Sequence, residues 1–147
     1  MIETALHPFL VHFLIAGGGI FLLSKIPGRL STTLSPMIRP LSIGMLLLFP
    51  GVLLAGLLAR EVLVAHQMHA NGGKVTIHLW MGMLTAGVWL PMLAGHLSPS
   101  SKDRASWAWR WFQGPGWLIL AALMMVATAT LGGALVYGSH GFAFPVR

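Results

Sequence analysis

Four long apolar stretches, separated by short polar or basic connections, organise this chain. The first covers residues 8–24, opened by His7-Pro8, where proline suits the first helical position, and closed before Lys25-Ile26-Pro27-Gly28. The second covers residues 41–63, with a polar continuation that reaches a helix stop at Asn71-Gly72-Gly73. The third covers residues 76–95 and the fourth residues 116–137. At 1.5 Å per residue the second stretch spans about 35 Å, enough to cross roughly 30 Å of hydrocarbon with some tilt. The pattern predicts an all-α membrane protein, a single four-transmembrane-helix bundle over residues 1–147.

Composition points the same way. With 56% hydrophobic and 8% charged residues and a mean hydropathy of +0.79, 147 residues carry more apolar side chain than a soluble domain of this size can hide. The lipid bilayer is thus the first expected partner. The absence of cysteine excludes a disulfide framework, thiolate metal sites and covalent c-type haem attachment. A pI near 11.4 invites thoughts of nucleic acid, but the nine Lys and Arg are scattered singly along the connections, so no nucleic-acid partner is expected.

Those charges predict topology instead, because short loops rich in Lys and Arg stay in the cytoplasm. The connections 25–40 and 96–115 carry Lys25, Arg29, Arg39, Lys102, Arg104 and Arg110 against Asp103 alone. The other side has Arg60, Lys74 and Arg147 against Glu3 and Glu61. The expected location is a bacterial inner membrane, multi-pass, with both termini periplasmic. No basic region precedes the first apolar run, so that run reads as a retained span rather than a signal peptide. Trp107, Trp109, Trp111, Trp117 and Phe112 read as interfacial anchors before the fourth span.

Candidate chemistry comes from histidine. His7, His12, His66, His69, His78 and His140 all fall at the outer end of the predicted bundle, leaving His96 alone at the other. Imidazole in or near lipid is expensive, and membrane b-type haem takes axial nitrogens from different helices without needing cysteine. His12 and His78, similar in depth, form the first-choice axial pair. His7 lies about 140° around the helix from His12, so the two do not easily share one metal. His66 and His69, with His7 or His140, suggest a shallower second site, and Arg60 is a cation placed for haem propionates. One haem b, or two, is the expected cofactor. Plainer readings stay open: interfacial polar residues or caps at helix ends, and interhelical hydrogen bonds for His12 and His78. Arg60-Glu61 reads most simply as a local ion pair, and Met81, Met83, Met124 and Met125 as packing residues.

The opening His7-Pro8-Phe9-Leu10-Val11-His12-Phe13 resembles the His-Pro-x-x-Val-His-Phe-Pro signature of a largely uncharacterised bacterial family of small four-helix membrane proteins, filed as a domain of unknown function. Ala55-Gly56-Leu57-Leu58, His78 and Leu131-Gly132-Gly133-Ala134-Leu135-Val136-Tyr137 extend the likeness. The resemblance implies the four-helix fold and weight for His7, His12 and His78, without an activity. Leu14 stands where the signature has proline, and His66, His69 and His140 look like additions of this chain.

The expected function is a b-type cytochrome subunit moving electrons between a membrane donor, such as quinol, and a periplasmic partner, such as a c-type cytochrome, within a larger membrane redox complex. The competing expectations are a copper- or zinc-binding membrane protein and a non-catalytic anchor or assembly subunit. An electron-transfer subunit is favoured over an autonomous enzyme, since the sequence holds no Ser/His/Asp arrangement, phosphate loop or pair of embedded carboxylates.

Overall fold

In a computed structural model the chain forms a four-helix bundle, described for residues 2–65, 72–97 and 111–137. The helices are α1 (Ile2–Leu23), α2 (Arg29–Ala65), α3 (Gly72–Leu97) and α4 (Pro115–Tyr137). All four are long and apolar enough to cross a membrane. Neighbours in sequence are neighbours in space, α1 on α2, α2 on α3 and α3 on α4, while α4 meets α1 only along a narrow strip. The bundle is therefore a ring with one thin seam.

Two boundaries differ from the sequence pattern. Helix α1 begins at Ile2, so Pro8 lies inside it rather than at its start. The bond lost to the missing proline N–H is the one from the Thr4 carbonyl, one turn from the helix end, where the loss is mild. Helix α2 begins at Arg29, not at Leu41, and passes through Pro36, Pro40 and Pro50. Pro36 and Pro40 fall in the stretch expected as a connection and Pro50 inside the predicted second span; all three are exposed, while Ile38, Ser42, Met45, Phe49 and Val52 line the buried stripe at helical spacing. Proline on the outer face kinks a helix without removing any contact its inner face makes. The turn before α2 needs Gly28, whose φ of 131° suits a residue without Cβ.

The packed core lies at the end where α1 closes. Phe21, Met45, Trp89, Met92 and Leu93 are all almost completely buried. Trp89 ties α3 to α4 by donating its indole N–H to the Ala121 carbonyl at 3.1 Å, and Trp117 returns the arrangement by donating to the Val88 carbonyl at 3.0 Å. In a bilayer such bonds and close packing, rather than hydrophobic burial, hold helices together. Gly18 permits the approach of α1 here, since a Cβ would lie 2.7 Å from Met125 Sδ and 3.1 Å from the Trp89 ring. Among the described residues of α4, Ala121 is the one that is buried. Trp117 thus packs into the bundle, while Trp111 is exposed; Trp107 and Trp109 lie outside the described residues.

Candidate functional site

The opposite end of the bundle is hollow. A cavity of about 600 Å³ runs between all four helices, from Arg60, His7 and His78 near the mouth to Met45, Trp89 and Met125 at the floor. Its volume falls in the range of small-molecule and cofactor pockets, about 300–1,000 Å³. Its walls are largely apolar, with the Thr85 and Thr128 hydroxyls as an internal polar spot. These two face each other at 2.7 Å, and Thr85 also reaches the Met81 carbonyl at 2.7 Å.

Two imidazoles from different helices meet in the cavity. His7 of α1 and His78 of α3 stand edge to face, with ring centroids 5.9 Å apart and planes 85° apart. His7 Nδ1 donates to the Val52 carbonyl of α2 at 3.0 Å. That bond places the ring proton on Nδ1 and leaves Nε2 as a lone-pair nitrogen, the tautomer a metal-binding histidine needs. His78 Nδ1 is buried with no hydrogen-bond partner. Each ring rests on a glycine. A Cβ at Gly56 would come within 3.0 Å of His7 Cε1, and one at Gly132 within 2.9 Å of His78 Cε1. Neither ring keeps its place if those positions carry a side chain.

His12 lines the same cavity but is exposed, and its Nδ1 donates to the Pro8 carbonyl at 2.6 Å. The ring contact to His78 is thus made by His7, one and a half turns nearer the helix start, and not by His12. The reason is rotational: a five-residue separation turns the two rings about 140° apart, so when one faces α2 and α3 the other faces the seam. Arg60 lines the mouth and pairs with Glu61 at 3.4 Å. His66, His69 and His140, expected at a second site, lie outside the described residues, as do Lys102, Arg104, Arg110 and Arg147. Among the described residues no three of His, Cys, Asp and Glu gather in one group.

Sequence reasoning overlooked the two glycine cradles as such. Gly56 and Gly132 stood in the stretches that extend the family likeness, and the structure shows that imidazoles fill the space over them. It also overlooked a pair at the far end, where Lys25 Nζ donates to His96 Nε2 at 2.8 Å and sits 4.9 Å from the Phe21 ring centre. Burial pushes the Lys25 ammonium below its ordinary value of 10.5.

The cavity fits a metal that arrives with ligands of its own. Two imidazoles alone leave a bare zinc or copper ion short of ligands, whereas a porphyrin needs only the axial pair.

Measured against known proteins, the chain matches no family model, no curated protein and no solved structure. The likeness of the His7–Phe13 motif therefore identifies no family.

Proposed function

We propose that this chain is a haem-b electron-transfer subunit of a bacterial inner-membrane redox complex, in which His7 and His78 would hold the haem iron. The observation that carries the reading is the convergence of these two rings, 5.9 Å apart, in an apolar cavity between the helices. Haem, when bound, supplies a one-electron iron centre in a low-dielectric site. The protein's own residues supply the rest. The Val52 carbonyl orients the His7 ring and raises its basicity, Gly56 and Gly132 give both rings their seats, and Arg60 offers a cation at the mouth to a carboxylate. The excess of Lys and Arg in the connections on the far side supports periplasmic termini, which puts the cavity mouth where a c-type cytochrome can dock.

The test is to purify the full chain and record reduced-minus-oxidised spectra with a parallel metal analysis. A b-type spectrum at about one haem per chain supports the reading. No haem signal, in cells whose other haem proteins are loaded, ends it.

A further inference from the structure

His12 is left over by the haem reading, and its position is unusual. It is exposed, yet it lines the cavity, so it stands where the cavity meets the surroundings. It lies about 7 Å deeper than His7 along the axis of α1, inside the apolar span that starts at Leu6. Because its ring is turned about 140° from His7, which packs on α2, it lies away from the α1–α2 contact, and α1's other, sequence-distant neighbour is α4, across the thin seam. From α4 the cavity is also lined by Ala129 and Gly133, and a Cβ on Gly133 would meet nothing within 4 Å. The seam at this depth is an opening towards lipid.

The chemistry of the ring narrows what enters. The bond from Nδ1 to the Pro8 carbonyl fixes the proton there, so Nε2 is an acceptor, carried on an exposed ring inside a candidate membrane span. A matching ligand dissolves in the membrane and carries a hydroxyl. Beside His12 on α1, Phe9 is 60% exposed and offers an aromatic face.

We propose that the α1–α4 seam is the binding site of a membrane-dissolved hydroquinone, whose phenolic hydroxyl donates to His12 Nε2. The proposal rests on the electron-transfer reading for its purpose, since it names the class of donor that the haem subunit would meet. Its chemistry is independent of the haem ligands.

The experiment measures binding of a tritiated decyl-hydroquinone to the full chain in phosphatidylcholine nanodiscs, with empty discs as the blank. Saturable binding near one per chain is expected. His12→Phe should weaken it about fivefold, the worth of one hydrogen bond, while His12→Gln, which keeps an acceptor, should recover most of the loss. Ala129→Phe should block the seam and abolish binding. The His7→Leu/His78→Leu variant should bind as the wild type does, although it holds no haem. Absence of saturable binding, or wild-type affinity in both His12→Phe and Ala129→Phe, overturns the proposal. So does loss of binding in a folded His7→Leu/His78→Leu protein, which would move the hydroxyl to the other histidines. Hydroquinone binding without any haem spectrum would instead sink the cytochrome reading and leave the seam site standing.

Discussion

The two ends of this bundle are built on opposite principles. At the Lys25 end, Phe21, Trp89, Met92 and Leu93 fill the space between helices, and indole N–H groups are spent on neighbouring carbonyls. At the His7 end the helices stand apart around about 600 Å³, and the ring nitrogens that face inward are not all satisfied. Both ends use glycine, but for different neighbours. Gly18 brings α1 against the Trp89 ring and Met125, whereas Gly56 and Gly132 seat imidazoles. The lesson is that one end holds the helices together so that the other can remain open, since an unfilled interior contributes no contacts of its own.

That contrast can be broken deliberately. The largest effect should come from the joint substitution His7→Ala/His78→Ala, which is expected to abolish the haem spectrum while the helical circular dichroism persists. Next, Trp89→Ala removes the centre of the packed end and its bond to Ala121, and should lower stability by about 3–5 kcal/mol in thermal unfolding. A destabilisation as large from an apolar substitution at the hollow end, such as Val11→Ala, would erase the distinction. The glycine seats give a finer comparison. Gly132→Ala forces a shift of His78 and should weaken haem retention by roughly 1–3 kcal/mol, read from haem transfer to a scavenger protein. The adjacent Gly133→Ala, which meets open space, should leave retention unchanged.

The smallest effect concerns Lys25. Its ammonium is held below the ordinary 10.5 by burial, so the unfolded chain binds more protons between the two values. The cost of burying the charge is imposed in full below the folded value and relieved as pH climbs to the unfolded one. Melting temperature should therefore rise modestly across that alkaline window, and Lys25→Met should flatten the rise.

Much of the architecture was legible in the chain. Four apolar runs gave four helices because each is long enough for a bilayer and is set off by polar or glycine-containing connections. The start of α2 was not legible, since Pro36 and Pro40 signal a break unless one knows that their face is exposed. That His7, His12 and His78 share one end was visible from helix direction alone. Which rings meet was not, because that depends on how α1 is rotated against α2, a choice made by Gly56 and the Val52 carbonyl rather than by spacing. The Lys25–His96 pair escaped notice because loop cations were weighed only for topology.

Helix α2 holds one more consequence. Its 37 residues extend about 55 Å, against roughly 30 Å of hydrocarbon. That leaves turns beyond what a crossing needs, and the stretch from Arg29 to Pro40 carries the exposed Arg29 and Arg39. In a bilayer a surplus of this kind is taken up by tilt or by an extension at headgroup level, where the two guanidinium groups would meet phosphate.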